Sequence, residues 1–387
     1  MKLGSSQSYH QSLMVDEQSL IDITKCSRCG KCTAICPMFE KTRGWDTGVA
    51  RGRMLLAWGL ARGELGIDDE LVKSLYQCST CMLCEQECTA GVKVTKIIRE
   101  ARKFIVEQGV EIPFSHRAAF NLIARMTLRD GLNRNWHDLV SGDFQETGEI
   151  VYSPGPLPYL EPILDFDLGA ERIISGAVKI FNRVGIKPAI IKELADSGHD
   201  AFWSGQFDLF NRLREKNTRL LKDAKVVVTN CAEEYRIFKS EYSLSAEVYH
   251  ISQFIRDLVK EGKIGFQNSS QRITYHDPCR LGRHMGEYDA PREVLRLLGD
   301  YREMKRYGKN AACCGVGAWM NCNEYSKQIR FDRIKEAAEV ADVLITACTK
   351  CLAHFRCLMA EPCRVDGLPD IEVVDFTEFV ARNLEEE

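Results

Sequence analysis

The sequence predicts an α + α/β protein in which a helical N-terminal domain is followed by two tandem α/β units. Two observations lead to this prediction: cysteines recur in tight groups near the N-terminus, and the rest of the chain contains an internal repeat. We place the helical domain at residues 1–135, the first α/β unit at 150–265 and the second at 266–387. A proline-rich stretch, VYSPGPLPYLEP, marks the entry into the first α/β unit.

Composition limits the classes of function. The chain has 387 residues, enough for two or three domains with their own cores, and a net charge of −3, which offers no basic surface for nucleic acid. No apolar run reaches the roughly 18–20 residues of a membrane span, and the first residues lack the apolar region of a signal peptide. We therefore expect a cytoplasmic protein that reaches a membrane only through a partner subunit.

Cysteine is the residue that stands out, with 17 copies in the chain. In a secreted protein such a number would indicate disulfides. Here the cysteines cluster in C-x-x-C groups in a chain without an export signal, and this pattern indicates metal ligation.

Two runs near the N-terminus, CSRCGKCTAICP and CSTCMLCEQECT, repeat one spacing, C-x2-C-x2-C-x3-C. This is the spacing of bacterial ferredoxins, in which the fourth cysteine of each run ligates the other cluster. Zinc usually takes two separated pairs of ligands, and it fits two complete runs far less well. We assign to a first cubane [4Fe-4S] cluster Cys26, Cys29, Cys32 and Cys88. We assign to a second cubane Cys78, Cys81, Cys84 and Cys36.

The segments around these runs have helical patterns. GVARGRMLLAWGLARGEL, between the runs, carries leucine and alanine at helical spacing, and VTKIIREARKFIVEQG, after the second run, is amphipathic. A compact ferredoxin would join its runs by strands and turns, so a helical ferredoxin-type domain is expected. Arg51, Arg53 and Arg99 could face anionic clusters, and a place on a solvated helix face is no less favoured for each.

The C-terminal repeat is visible in two apolar, β-branched segments that both end in cysteine: VVVTNC, ending at Cys231, and VLITAC, ending at Cys348. Such segments are typical of buried strands. The same number of residues separates Ser197 from Cys231 as separates Cys314 from Cys348. The first copy therefore has the letters DSG where the second copy has CCG. Amphipathic segments between these strands predict strand–helix alternation in both copies.

The two copies differ in their thiols. The second copy has five cysteines at the repeated positions, whereas the first has Cys231 alone. The other four positions of the first copy hold residues that do not provide thiolate: Pro156, Asp196, Ser197 and Glu234.

The pattern of a single cysteine, then CCG, then C-x-x-C in the second copy resembles the cysteine-rich CCG domain. That domain occurs in heterodisulfide reductases, in succinate dehydrogenase of some archaea and in glycolate oxidase iron–sulfur subunits. Together with the two-cluster N-terminal domain, nearly the whole chain resembles the family of heterodisulfide reductase D subunits. The resemblance implies that a noncubane [4Fe-4S] cluster is held by Cys279, Cys313, Cys314, Cys348 and Cys351.

The resemblance also implies that the degenerate first copy holds no second noncubane cluster, because proline offers no ligand. Cys231 is then expected to be a core thiol. Asp196, His199 and Glu234 are expected to line the vacated pocket, and a structural role for His199 is favoured over proton donation.

By resemblance, the chain is an iron–sulfur electron-transfer and catalytic subunit of a heterodisulfide-reductase-like complex. Electrons pass through both cubanes to the CCG cluster, which reduces a disulfide of small thiols. Cys313 and Cys314 would be catalytic there, with His276 or His284 as a proton donor. A hydrogen bond that fixes the Cys279 loop is the favoured alternative for His276.

The chain has neither a Rossmann G-x-G-x-x-G loop nor a P-loop, so a flavin or nicotinamide must lie on another subunit. The resemblance implies a flavoprotein or a b-type cytochrome as partner. The alternative is a non-catalytic relay subunit of a larger multi-subunit oxidoreductase, of the electron-bifurcating, acyl-CoA-reducing or glycolate- or glycerol-phosphate-oxidase type.

Overall fold

The computed structural model describes residues 16–129, 136–318, 321–360 and 366–385. All thirteen predicted cluster ligands lie within these ranges. Cys363 and the predicted end of the helical domain at residue 135 lie outside the described residues.

The N-terminal domain is built of helices, and residues 16–129 contain no strand. Its helices are α1 (Glu17–Thr24), α2 (Lys31–Ala34), α3 (Ala50–Ala61), α4 (Asp69–Tyr76), α5 (Leu83–Gln86), α6 (Val94–Glu107) and α7 (Ala119–Leu128). Helix α6 shows why: its buried residues, Ile97, Ile98, Ala101 and Ile105, recur at helical spacing and pack on α3 and α4. The predicted helical ferredoxin-type domain is confirmed.

The first α/β unit contains a three-stranded parallel sheet of order β1-β2-β3. Its elements are β1 (Ile150–Ser153), α8 (Leu157–Leu160), α9 (Ala170–Arg183), α10 (His199–Ser204), α11 (Phe207–Leu220), β2 (Val226–Thr229), α12 (Ala232–Glu241), β3 (Glu247–His250) and α13 (Ile251–Lys260).

The second α/β unit contains a four-stranded parallel sheet of order β5-β4-β6-β7. Its elements are β4 (Arg272–His276), α14 (Asp289–Leu295), β5 (Asp300–Tyr301), α15 (Glu324–Ala338), β6 (Val343–Thr346), α16 (Thr349–Met359), β7 (Glu372–Asp375) and α17 (Phe376–Arg382). The short edge strand β5 is an addition that the repeat did not predict.

The strand orders β1-β2-β3 and β4-β6-β7 match, so the predicted pair of tandem α/β units is confirmed. Pro156 lies three residues after β1, just as Cys279 lies three residues after β4. Cys231 lies two residues after β2, and Cys348 lies two residues after the corresponding strand β6. The structure therefore places the repeated positions at equivalent ends of equivalent strands.

The two units exchange helix contacts. Helix α13 of the first unit packs on α14 of the second, and α17 of the second packs on α9 of the first. The approach of α17 to α9 is close, because a Cβ at Gly176 would lie 2.9 Å from the Cβ of Ala381. One apolar core extends through both units and the helical domain.

The helical domain packs against the first unit through buried polar contacts. Tyr76 donates a hydrogen bond to the Ser204 carbonyl over 2.9 Å, and Arg102 Nη1 donates to the Trp203 carbonyl over 2.9 Å. Among the described residues, every helix is too short or too polar to cross a bilayer.

Candidate metal centres

The first group of predicted ligands lies around the turn between α1 and α2. Gly30 has a φ of 81°, which glycine adopts without steric penalty, and this lets the chain turn between Cys29 and Cys32. Cys88 comes from the other run, in the loop after α5, which packs on α2. Burial raises the pKa of Cys32, and the neighbouring thiols of Cys26, Cys88 and Cys29 raise it further. The structure thus brings these four thiols together.

The second group lies deeper in the helical domain. Cys78 and Cys81 occupy the loop after α4, Cys84 lies in α5, and Cys36 follows α2. Burial raises the pKa of Cys84 well above its usual value, and Cys81, Cys78 and Cys36 add to the shift. Cys36 therefore lies with the second run and Cys88 with the first, as the ferredoxin spacing predicts.

The five thiols of the second α/β unit meet at the carboxyl ends of its parallel strands. Cys279 follows β4, Cys348 follows β6, Cys351 lies in the first turn of α16, and Cys313 and Cys314 lie in the loop before α15. The sulfurs of Cys351 and Cys314 are 3.3 Å apart, and all five residues line one small cavity. Loops at this edge of a parallel sheet are the usual place for a ligand.

The glycines after the cysteine pair make the loop tight. Gly315 and Gly317 have φ values of 91° and 51°. A Cβ on Gly315 would lie 2.8 Å from the Ser326 carbonyl oxygen, and one on Gly317 would lie 2.7 Å from the Ser79 Cα. The glycines thus let the loop that carries both thiols approach α15 and the helical domain closely.

The second cysteine group adjoins the five-thiol group. A hydrogen bond to Cys313 and burial raise the pKa of Cys81 well above its usual value. Cys81, Cys313 and Leu83 form one buried apolar cluster, and Cys279 packs against it. The first group reaches the surface instead, since Cys29 is exposed. The three groups therefore run from the surface of the helical domain to the interior of the second α/β unit.

The residues present fit iron–sulfur clusters. The thirteen predicted ligands form no disulfide, and thiolate sulfur is the ligand that such clusters take. Two buried guanidinium nitrogens beside them, Arg53 Nη2 and Arg283 Nη2, have no hydrogen-bond partner among the described residues, which suits a neighbouring buried anion. The assignment of individual cysteines to individual clusters stays a prediction.

His276 ends β4 and is buried beside the five thiols. A ring nitrogen lies within 4.8 Å of the sulfurs of Cys314 and Cys351, and Arg333 Nε donates a hydrogen bond to Nδ1 over 3.1 Å. Burial and the charge of Arg333 lower its pKa to about 3. The ring is therefore neutral near pH 7, which weighs against proton donation by an imidazolium. The hydrogen bond to the Cys279 loop that the sequence favoured stays a prediction.

His284 belongs to the junction between the helical domain and the second unit. Its Nε2 lies 2.9 Å from the Thr80 carbonyl oxygen and 2.6 Å from Arg280 Nη1. Burial and Arg280 lower its pKa well below the usual value. Its place at this junction gives no direct support for proton donation at the thiols.

The corresponding site in the first α/β unit contains acidic side chains. Pro156, Asp196, His199, Cys231 and Glu234 line one cavity, as the repeat predicts. Burial raises the pKa of Glu234 to about 7 and also raises the pKa of Asp196. The site thus has carboxyl groups with raised pKa values where the second unit has thiols.

Lys350, from the first turn of α16 in the second unit, reaches into this site of the first. Its Nζ lies 2.9 Å from Glu233 Oε2 and forms a close ion pair with Asp200. His199 Nδ1 lies 3.0 Å from the same Asp200 and 3.2 Å from Glu233. Burial, Arg280 and Lys350 lower the pKa of His199 well below its usual value, so the ring is a neutral member of this network.

Cys231 lies at the boundary between the two sites. It is buried, and a hydrogen bond to Cys348 raises its pKa while lowering that of Cys348. The sequence predicted a core thiol and gave no sign of this contact. Lys350 and Arg280 were also missed, although each charge stands directly beside a predicted ligand in CTKC and in PCR.

Comparison with protein families identifies both parts of this arrangement. A model of the 4Fe-4S dicluster domain matches residues 22–92, and a model of the cysteine-rich domain, CCG, matches residues 273–356. The chain thus contains one region similar to each of these two domains. The dicluster match contains both cysteine runs, and the CCG match contains all five thiols of the second unit.

Individual relatives agree with this assignment. The chain is similar to the D subunit of dihydromethanophenazine:CoB–CoM heterodisulfide reductase from Methanosarcina barkeri, with 29% identity over 94% of the chain and 95% of that protein. It is 28% identical to the probable iron-sulfur-binding oxidoreductase FadF of Bacillus subtilis, over 87% of the chain and 56% of that protein. It is 24% identical to the EtfAB:quinone oxidoreductase of Syntrophomonas wolfei, over 87% of the chain and 55% of that protein.

Proposed function

We propose that this chain carries single electrons from a redox partner to the five-thiol site, where a disulfide of small thiols is reduced. The contact between Cys81 of the second group and Cys313 of the five-thiol group carries the proposal. Two cubane clusters and a noncubane [4Fe-4S] cluster, held by the thirteen predicted cysteines, would supply one-electron chemistry.

The protein prepares the five-thiol site by burial and by fixed neighbours. Cys313 and Cys348 are each 2% exposed, and Cys314 and Cys351 are each 3% exposed, so water has little access to these sulfurs. His276, held by Arg333, packs beside two of them. Fixed hydrogen bonds and a dry surrounding are the means by which a protein tunes bound metal.

Reduction of a disulfide consumes two electrons and two protons and releases two thiols. The protein must therefore supply protons to the second unit. The carboxyl of Glu234, in the adjoining cavity of the first unit, has a pKa of about 7, so it can both hold and release a proton near neutral pH. We assign this cavity the role of proton reserve within the proposal.

Electrons enter, in this proposal, at the first cubane. Cys29 is the exposed member of its group, so a partner can approach this end of the chain. A flavoprotein or a b-type cytochrome is the partner class that suits a chain of iron–sulfur sites. The latter would hold the protein at a membrane. The similarity to a heterodisulfide reductase component and to an EtfAB:quinone oxidoreductase supports assembly with other redox proteins.

Anaerobic iron and sulfide analysis tests the cofactor content, and about twelve irons per chain are expected. Electron paramagnetic resonance of the oxidised protein, with and without a small thiol, tests the chemistry. A thiol-dependent signal that disappears in Cys313→Ser, while both cubane signals persist, is the expected result. Eight or fewer irons in the wild-type chain would remove the noncubane cluster from the proposal.

The deep burial of four of the five thiols also favours a second candidate, in which this chain relays electrons without reacting with a disulfide. A relay needs no opening for substrate. The relay would be established, and disulfide chemistry excluded, by two results together. The clusters would be intact with spectra that no tested thiol changes, and a flavoprotein partner would reduce them.

A further inference from the structure

Four buried arginines converge on the short segment from Ser74 to Cys81, which carries two cysteines of the second group. Two of them come from helices of the N-terminal domain, and two follow the first thiol of the five-thiol group in the sequence PCRLGR. Each is at most 6% exposed. They are Arg53, Arg102, Arg280 and Arg283.

The two arginines of the helical domain donate to backbone carbonyls of this segment. Arg53 Nε lies 2.7 Å from the Ser74 oxygen. Arg102 Nη2 lies 2.7 Å from the oxygens of both Leu75 and Cys78. These bonds hold the guanidinium groups against the loop from which Cys78 extends.

The two arginines of the second unit hold the next part of the same segment. Arg280 Nη1 and Nη2 each lie 2.6 Å from an oxygen of Thr80. Arg283 Nε lies 2.6 Å from the Cys81 oxygen, and its Nη1 lies 2.8 Å from the Ala311 oxygen. Arg283 therefore spans the junction at which the second group meets the five thiols.

Within the described part of the chain, none of these four arginines forms an ion pair with a carboxylate. Buried arginines elsewhere do: Arg292 lies 2.7 Å from Asp277, and Arg333 lies 3.0 Å from Glu336. Backbone carbonyls satisfy hydrogen bonds but carry no net charge. Arg280 also acts at longer range on the carboxyl groups of Asp200 and Glu233. Because an uncompensated buried charge is strongly destabilising, four cations without a paired carboxylate favour a buried anion of another kind beside them.

We propose that these four arginines are the counter-charge of the second cubane and of the five-thiol cluster, and that they set the reduction potentials of both. The inference rests on the clusters of the proposed function. Reduction adds negative charge, which a nearby cation stabilises, and the protein interior screens that attraction less than water does. Loss of one guanidinium therefore lowers the potential of the cluster beside it.

The first cubane provides the contrast. Arg51 donates from Nη1 to the Arg28 oxygen over 3.4 Å, close to Cys29. Its side chain is 31% exposed and lies 3.1 Å from Asp46. Solvent and this carboxylate already neutralise its charge, so Arg51 is the matched control for the buried four.

The test is a redox titration of the full chain, purified anaerobically and followed by electron paramagnetic resonance, with iron counted in every variant. Arg53→Gln and Arg102→Gln are expected to lower the midpoint potential of the second cubane. Arg283→Gln should lower the potentials of both the second cubane and the five-thiol cluster, and Arg283→Lys should restore most of the shift. Arg51→Gln should leave all potentials in place. A tenfold change in the ratio of reduced to oxidised cluster corresponds to 59 mV.

Arg53→Gln removes one hydrogen bond and is the substitution least costly to folding, so it keeps the test informative if Arg102→Gln loses iron. Wild-type iron with unchanged potentials in Arg53→Gln and Arg283→Gln would overturn the inference and leave the proposed function standing. A wild-type chain without clusters would overturn both. Equal shifts in Arg51→Gln and Arg53→Gln would also overturn it, because burial would then have no effect.

Discussion

The two α/β units have the same strand order and place the same positions at the ends of their strands, yet one site contains five thiols and the other contains acids. In the second unit Cys279 follows the first strand, and in the first unit Pro156 follows it. Gly198 and Gly315 take matching left-handed conformations, with φ values of 80° and 91°. The backbone conformation at this edge of the sheet is therefore the same whether the site contains thiols or acids.

The difference shows that the same edge of a parallel sheet can carry thiols in one unit and carboxyl groups in the other. A cavity is present in the first unit, and His199, Glu233 and Lys350 line it. These three side chains form a polar network with Asp200. The cation of this network, Lys350, comes from α16 of the second unit. The two sites thus remain in contact although their chemistry differs. Four experiments test this difference.

The largest effect is expected in iron content. Cys313→Ser should reduce the iron of the chain from about twelve to about eight atoms, because one ligand of the five-thiol cluster is lost. Cys231→Ser, at the equivalent edge of the first unit, should leave the iron count unchanged. Anaerobic iron analysis measures both, and a loss of four irons in Cys231→Ser would make Cys231 a ligand.

The next effect concerns the buried ion network. Lys350→Met leaves Asp200 and Glu233 without their cation, and loss of one partner of a buried pair is expected to lower the free energy of unfolding by about 3–5 kcal/mol. Anaerobic urea unfolding of the holoprotein measures the change. Lys225→Met is the control, since its pair with Glu149 is exposed and its loss should be nearly neutral.

A third effect is a pH dependence that arises in the first unit. Burial raises the pKa of Glu234 from 4.5 to about 7, so folding favours its protonated form and this stabilisation is lost as pH rises toward 7 and beyond. Between about pH 5.5 and about pH 8, the free energy of unfolding should fall by about 2 kcal/mol more in the wild type than in Glu234→Gln. Parallel pH profiles for the two proteins would contradict the assignment, and Glu261→Gln at the surface serves as the control.

The smallest effect compares the paired glycines. A Cβ at Gly198 would lie 2.7 Å from Phe210 Cδ2, and one at Gly315 would lie 2.8 Å from the Ser326 oxygen. Each alanine variant should lose about 1–3 kcal/mol of unfolding free energy. Gly315→Ala should also lose iron, whereas Gly198→Ala should not. Gly66→Ala, which has open space around the added methyl, is the neutral control for thermal unfolding.

Much of the fold followed from local sequence, because cysteine spacing and strand–helix patterns depend on neighbours along the chain. The ferredoxin runs, the repeat and the match of Pro156 with Cys279 are of this kind. The approach of Cys231 to Cys348 and the entry of Lys350 into the first unit are not. They depend on how the two units face each other, which no short segment encodes.

The convergence of the four arginines on one cysteine loop could not be predicted from the sequence either, because it also depends on tertiary packing. The helical pattern left Arg53, like Arg51 and Arg99, open to a place beside a cluster or on a solvated face. The structure buries Arg53 against Ser74, pairs Arg51 with Asp46 and stacks Arg99 on an aromatic ring. Helical spacing placed each residue on a helix surface, and tertiary packing decided which of them met the cysteine loop.

The exchanged helices make the two α/β units depend on each other for their fold. Helix α17 belongs by sequence to the second copy but covers α9 of the first, with Lys179 Nζ donating to the Ala381 carbonyl over 3.3 Å. A chain ending at residue 265 would expose that apolar face of α9. Selection that preserves the second copy therefore also preserves the shape of the first, and each copy is an indispensable half of the scaffold.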